Sequence, residues 1–249
     1  MKSRTFRIRN HFHKHSLGYT LIELLIVLTI GLLLTNLALT SVASLTDSGN
    51  FSSSISTVAE TLNKARALAM AQNSFVFVGI GEVDGSVPTT APQVNGIGRV
   101  IVSVVLSADG SPIYDPVSQT GWLANTTTLV QINKPMLLDN MHLALVGNTS
   151  GNLARPVADA LIPTTLPTPF PFNYPLNTGS SHYSFASSPA TVIKFSPQGG
   201  ATLSLSANPR YIEIGLFQSH GNAVTAVNQA KYAAIQIDGS TGALNIFRP

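Results

Sequence analysis

Gly18-Tyr19-Thr20-Leu21-Ile22-Glu23-Leu24-Leu25-Ile26-Val27 decides the reading of this chain, because one carboxylate, five residues after a glycine, opens a long apolar run. From Leu24 to Thr46 no residue is charged, and roughly 20 apolar residues suffice for a helix to cross the hydrocarbon core of a bilayer. Glu23 therefore falls inside, or at the edge of, a predicted membrane span. A carboxylate near the bilayer centre costs on the order of 3 kcal/mol on insertion scales and less near an interface, so its presence calls for a function and a partner. Upstream, Lys2, Arg4, Arg7, Arg9 and Lys14 supply five positive charges with no acid among them. By the positive-inside rule this end stays cytoplasmic and the bulk of the chain is exported. A cleaved secretory signal carries its small-residue site after a shorter apolar core. Here the glycine comes before the core. A plain signal-anchor helix, with Glu23 snorkelling to the headgroups, is the alternative reading of the same residues.

A basic leader followed by glycine, an aromatic, threonine, leucine, an aliphatic and glutamate, from Gly18 to Glu23, resembles the prepilin peptidase motif of the type IV pilin and pseudopilin superfamily. The resemblance implies cleavage between Gly18 and Tyr19 and methylation of the new amino terminus at Tyr19. Phenylalanine is commoner than tyrosine at that position in the family. The resemblance also implies that Glu23 pairs with the terminal amine of a neighbouring subunit in a filament, the compensation a buried charge requires. The partners it implies are a prepilin peptidase, other pilin or pseudopilin subunits and an inner-membrane assembly platform. The location it implies is the bacterial inner membrane, crossed once with a cytoplasmic N-terminus and a periplasmic head, and later a pilus or pseudopilus.

Composition narrows the rest. The chain has 249 residues and no cysteine, which excludes disulfides and thiol chemistry and departs from the many major pilins that carry a disulfide. The formal charge of +3 is carried by the leader, since the residues after it hold nine basic against eleven acidic side chains. Those basic residues are scattered, so no nucleic-acid footprint appears. Charged residues make up 10% of the chain, far below the usual quarter, which suits an extracellular or assembling surface.

Beyond the span, Asp47-Ser48-Gly49-Asn50 predicts a break or kink, glycine and short polar residues being poor helix formers. Phe51, Ile55, Val58, Leu62, Ala65 and Ala69 then recur at steps of three and four and share one helical face. A first helix is predicted from Tyr19 to Ala71, about 80 Å long at 1.5 Å per residue; a transmembrane helix followed by a separate surface helix is the other account. After Asn73 the pattern changes to a period of two or to short apolar runs. Strands are predicted at Phe75–Val78, Val100–Leu106, Thr128–Ile132, Met141–Val146, Ala190–Phe195, Ala201–Leu205, Tyr211–Phe217, Tyr232–Asp238 and Ala243–Phe247, with turns at Pro197–Gly200 and Asp238–Gly242. The fold class is α+β: one long N-terminal helix packed on antiparallel β-sheet, as the pilin resemblance also implies. The expected parts are a leader at 1–18, a transmembrane and assembly half-helix at 19–46, an amphipathic half-helix at 47–73 and a β-rich head at 74–249.

Leu62-Asn63-Lys64-Ala65-Arg66-Ala67-Leu68-Ala69 and Val192-Ile193-Lys194-Phe195-Ser196-Pro197-Gln198-Gly199 are similar to segments of minor pseudopilin H and FimT-like minor pilins. Between Gly147 and Pro189 lie seven prolines interleaved with Phe170, Phe172, Tyr174, Tyr183 and Phe185, a long segment without clear periodicity. Two readings stand for it: a partner-binding loop with a polyproline stretch at Leu166–Pro175, in which Phe170, Phe172 and Tyr174 make the contacts, or an excursion tucked against the sheet. Glu82–Gly98 is expected as an exposed hairpin tip. Asp-Gly-Ser recurs at Asp84, Asp109 and Asp238, better explained by turns than by calcium, since no EF-hand spacing is present. His11, His13 and His15 lie in the leader, and His142, His182 and His220 show no metal or catalytic spacing. No cofactor, metal or catalytic residue is expected.

The function these signs point to is that of a minor pilin or pseudopilin, processed by prepilin peptidase and assembled into a type IV pilus or a type II secretion pseudopilus. The alternative is a filament-tip adhesin or DNA-uptake pilin that binds a ligand through the head.

Overall fold

The computed structural model describes residues 19–87, 96–112, 128–146, 154–162, 170–174, 183–187, 192–203, 208–224 and 231–249, the side chains of 36–48, 170–174 and 183–187 lying outside the description. The chain divides into two compact units, Met1–Ser48 and Gly49–Pro249. Helix α1 is assigned as one element, Leu21–Gln72. The break predicted at Asp47–Asn50 is not seen in that assignment. One glycine costs about 1 kcal/mol in a helix interior, and from Phe51 onward the helix is stabilised by packing of its apolar face. Helix α1 ends where Asn73 takes a positive φ of 49° and the Ser74 N–H donates to the Ala69 carbonyl at 3.1 Å.

Fourteen strands are described: β1 Val76–Asp84, β2 Gly98–Ser107, β3 Leu129–Gln131, β4 Met136–Asp139, β5 Met141–Leu143, β6 Ala160–Ile162, β7 Phe170–Tyr174, β8 Tyr183–Ser187, β9 Val192–Phe195, β10 Ala201–Leu203, β11 Tyr211–His220, β12 Ala223–Val224, β13 Tyr232–Asp238 and β14 Leu244–Phe247. One sheet runs β10-β9-β1-β2-β3, with β4 also on β2; a second runs β12-β11-β13-β14, with β5 and β6 also on β11. All pairs are antiparallel except β6 with β11. The chain is α+β, an N-terminal helix followed by antiparallel sheets, consistent with a pilin fold.

The second unit is organised by period. Phe51, Ile55, Val58, Leu62, Ala65 and Ala69 on α1 are buried, while Glu60, Asn63 and Lys64 are exposed. These six apolar positions pack in one core with alternate residues of both sheets: Val76, Val78 and Ile80 of β1, Val100, Val102 and Val104 of β2, Ile212, Ile214 and Leu216 of β11, and Ala233, Ile235 and Ile237 of β13. The intervening residues are buried as well. Phe77, Ile101, Val105, Leu129 and Val192 cluster on the outer face of the first sheet, and Phe217, Ala234 and Val146 on that of the second. Burial on both faces explains why β1, β2 and β11 read as apolar runs rather than clean alternations.

Two further sequence expectations are corrected by the strands. Of the polyproline stretch predicted at Leu166–Pro175, the described part, Phe170–Tyr174, is instead a strand paired with β8 in the register Phe172 to Phe185 and Tyr174 to Tyr183, the rest lying outside the described residues. Aromatics at every second residue of both segments carry that strand signal. Pro171 has no N–H to donate, and among the described residues β7 pairs with β8 alone, so the proline sits in an edge strand where this is tolerated. Glu82 is no part of an exposed tip: β1 continues to Asp84 and pairs with β2 from Gly98. The remaining described strand within 147–189, β6, has only three residues and rests on non-local pairing with β11, so no local period announces it.

Candidate functional site

The N-terminal segment builds its geometry from three residues. Thr20 stands just before the first helical residue, and Glu23 three positions on. Glu23 Oε2 accepts the Thr20 backbone N–H at 2.9 Å and the Thr20 hydroxyl at 2.9 Å, while the Glu23 N–H donates to Thr20 Oγ1 at 3.3 Å. This is a capping box, in which two helix-end donors with no intrahelical acceptor are satisfied reciprocally. The same carboxylate therefore fixes the start of the helix next to Tyr19. The carboxylate uses Oε2 for both of the bonds it accepts.

Past that box the helix is apolar all round. Leu21, Ile22, Leu24, Leu25, Ile26, Val27, Leu28 and Ile30 are each between 48% and 85% exposed. A helix of this kind requires an apolar environment or partner helices to cover it. The two threonines described in this stretch are closed internally: Thr29 Oγ1 donates to the Ile26 carbonyl at 2.8 Å and Thr35 Oγ1 to the Gly31 carbonyl at 2.7 Å. Such back-bonding removes donors that an apolar solvent would leave unpaired. Among the described residues no helix is long and apolar enough to cross a membrane; the described side chains of this stretch stop at Thr35, short of the roughly 20 residues required.

Of the residues singled out by sequence, Tyr19 is 86% exposed beside the capping box. Gly18 and the leader histidines lie outside the described residues, as does His182. Phe170, Phe172 and Tyr174 fall in β7, with only their backbone described. The three Asp-Gly-Ser triplets are turns in which the aspartate accepts the N–H of the serine two residues on, at 2.8 Å for Asp84, 3.0 Å for Asp109 and 3.0 Å for Asp238. Among the described residues no cluster of His, Asp and Glu could hold a metal.

The sequence reading missed two polar groups that hold the head together. Glu82 of β1 takes the Gly98 N–H at 2.8 Å, His142 Nδ1 at 2.9 Å and the Leu143 N–H at 3.2 Å, so one carboxylate ties the first sheet to the second. The spacing around His142 gives no sign of this carboxylate, because its partner lies sixty positions away in sequence. Arg155 and Glu213, with 6% and 2% of their side chains exposed, pair through Nε to Oε2 at 2.6 Å and Nη2 to Oε1 at 2.9 Å. Gln236 Nε2 adds a bond to Glu213 at 2.8 Å and another to the Pro156 carbonyl at 2.7 Å. Hydrogen bonding to the Glu213 carboxylate raises the Arg155 pKa still further. A lone acid between Ile212 and Ile214 in an apolar strand was the available signal, since a buried charge demands a partner.

Residues 13–35 match the family model described as the prokaryotic N-terminal methylation motif. The search of curated proteins and the search of solved structures find no match. The motif match supports the type IV pilin and pseudopilin superfamily, and with it processing by a prepilin peptidase, a membrane-anchored precursor and assembly with other pilins.

Proposed function

We propose that this chain is a minor pilin or pseudopilin, a structural subunit cut between Gly18 and Tyr19, methylated at Tyr19 and assembled into a type IV pilus or a type II secretion pseudopilus. Residues 19–46 hold it in the inner membrane with the head on the periplasmic side until it is extracted. The observation that carries this reading is the Thr20–Glu23 capping box at the start of an uncovered apolar helix, inside the matched motif. In a filament, apolar helices cover one another. The Glu23 oxygen not used by the box is then available to the Tyr19 amine of a neighbour, which sets register and neutralises both charges where water is scarce.

The deciding experiment is the N-terminal sequence and mass of the mature protein. A methylated chain beginning at Tyr19 supports the proposal; an intact Met1, or a start far from Tyr19, overturns it. A tip adhesin is the second reading, favoured by the aromatic alternation in the paired strands β7 and β8. Deleting Pro163–Pro175 separates the two: lost adhesion with filaments intact favours binding, and lost filaments favour assembly.

A further inference from the structure

A cleft of about 640 Å³ opens on the head, lined by residues that include Phe75, Lys194, Ser196, Thr202, Asn208 and Arg210. Its size falls within the range of small-ligand sites, about 300–1,000 Å³. Its frame is fixed by backbone: the Ala201 N–H donates to the Gly239 carbonyl and the Gly239 N–H to the Arg210 carbonyl, both at 2.8 Å. One residue thus stitches β10 to the start of β11.

The side chains are those of an anion site. Lys194 and Thr202 are opposed in the β9–β10 pair and so share a face of the sheet. Lys194 Nζ lies 5.8 Å from the centre of the Phe75 ring, and the Arg210 guanidinium 5.3 Å from that of Tyr211. Rings hold these two cations in place without neutralising them. Among the described residues neither has a carboxylate partner, and the described lining contains no acid. Two aspartates stand beside the lining, each with one oxygen already bonded by it. Asp159 Oδ2 accepts the Arg210 backbone N–H at 2.7 Å, and Asp238 Oδ1 accepts Ser240 and Thr241 in its own turn. Thr202 Oγ1, finally, is buried with no hydrogen-bond partner among the described residues, an arrangement that native structures rarely leave uncompensated.

We infer that this cleft binds an oxyanion, a carboxylate or a phosphate, carried on a polar molecule small enough to enter it. Lys194 and Arg210 supply the charge and Thr202, once its side chain turns toward the cleft, a hydroxyl donor, while Ser196 and Asn208 offer neutral polar contacts to the rest of the ligand. None of this depends on which filament the subunit joins.

The test is titration of the full chain in neutral detergent micelles, followed by amide NMR, with inorganic phosphate, galacturonate and uncharged galactose as probes. Saturable shifts at Lys194, Thr202 and Arg210 are expected with an anion and not with galactose; which of the two anions binds tells phosphate from carboxylate. Lys194→Gln with Arg210→Gln should weaken binding about tenfold or more, charge-assisted bonds being the strong ones. Thr202→Val should weaken it less, and Lys194→Arg, which keeps the charge, should preserve it. Unchanged near-ultraviolet circular dichroism shows that each variant is folded, and the single Lys194→Gln variant serves if the double one is not. Absence of saturable binding by both anions, equal response to galactose, or full affinity in the charge-removed variants overturns the inference.

Discussion

Arg66 Nε donates to the carbonyl of Gly199 at 3.3 Å, joining the end of α1 to the turn between β9 and β10. The turn itself is closed by the Gly199 N–H on the Ser196 carbonyl and the Ser196 N–H on the Gly200 carbonyl, both at 2.9 Å. Gly199 has a φ of +87° and Gly242, in the turn before β14, a φ of +67°. A Cβ on Gly242 would stand 2.1 Å from the Gly199 oxygen and 2.9 Å from Arg66 Cδ. Two turns and one arginine thus interlock at a point where no side chain fits.

Gly242→Ala is therefore expected to destabilise the head by about 1–3 kcal/mol, the cost of a left-handed backbone conformation in a residue with a side chain, plus whatever backbone shift relieves the clash. Thermal unfolding followed by near-ultraviolet circular dichroism measures it. A melting temperature equal to wild type would show that the interlock contributes nothing.

That contact also explains what the sequence disclosed. Leu62–Ala69 and Val192–Gly199 are far apart in the chain yet carried one resemblance, and Arg66 and Gly199 meet. The helix face, the longer apolar strands and the tight turns were legible because each is set by local spacing and backbone preference, while the prolines around Phe170–Tyr174 masked the alternation of β7 and β8. Strands β4, β6 and β12 were not, being two to four residues long and dependent on non-local pairing. The partners of Glu82 and Glu213 were equally unreadable: a lone acid announces that it needs a partner, but only the tertiary fold says that His142 and Arg155 answer. The N-terminal site was legible to the spacing of Thr20 and Glu23, while their mutual hydrogen bonding came from the structure.

Leu62→Ala should cost about 2–5 kcal/mol, since Leu62 is fully buried at the centre of the α1 face and truncation leaves a cavity. Lys64→Ala, two residues on, should change stability by less than about 0.5 kcal/mol, because its pair with Glu60 spans 3.8 Å between exposed side chains. Urea unfolding of both variants checks the contrast. Comparable losses would mean that the helix face is assigned wrongly.

Arg155→Ala is expected to destabilise by about 3–5 kcal/mol, as removal of one partner strands the other charge in the interior. Arg155→Met combined with Glu213→Leu should recover most of that loss. Gln236 keeps its bond to the Pro156 carbonyl in the double variant. A double variant no more stable than the single one would show that the network is required for packing rather than for charge compensation.

Acid stability should follow the turn aspartates. The Asp84 carboxyl is held below the ordinary value of 3.8 by the Ser86 hydroxyl and then its N–H, Asp109 by the Ser111 N–H and the Ser107 hydroxyl, and Asp238 by the Ser240 hydroxyl and the Thr241 N–H. Each pKa is depressed on folding, so the stability each contributes is complete above the unfolded value near 3.8 and is lost as pH falls through the lower folded value. Exposure to solvent keeps each effect small. The urea midpoint should hold steady from neutrality towards pH 5 as far as these groups are concerned and decline below about 3.8. Asp238→Asn should flatten part of that decline; an unchanged acid slope would remove Asp238 from the account.

The capping box makes Glu23 both a helix cap and a charge, and two substitutions separate the roles. Thr20→Val removes the hydroxyl from the box at a cost of about 1 kcal/mol to the helix start but leaves the carboxylate charged. Glu23→Gln retains an acceptor for the Thr20 N–H and loses the charge that would meet the Tyr19 amine. If the intersubunit pair sets register, Glu23→Gln and Glu23→Ala should insert and be cleaved yet enter filaments poorly, while Thr20→Val assembles nearly as well as wild type. If capping is the decisive contribution, Thr20→Val should fail and Glu23→Gln should pass. Immunoblots of sheared filaments against membranes distinguish these outcomes, and Glu23→Ala entering filaments as efficiently as wild type would refute the pairing altogether.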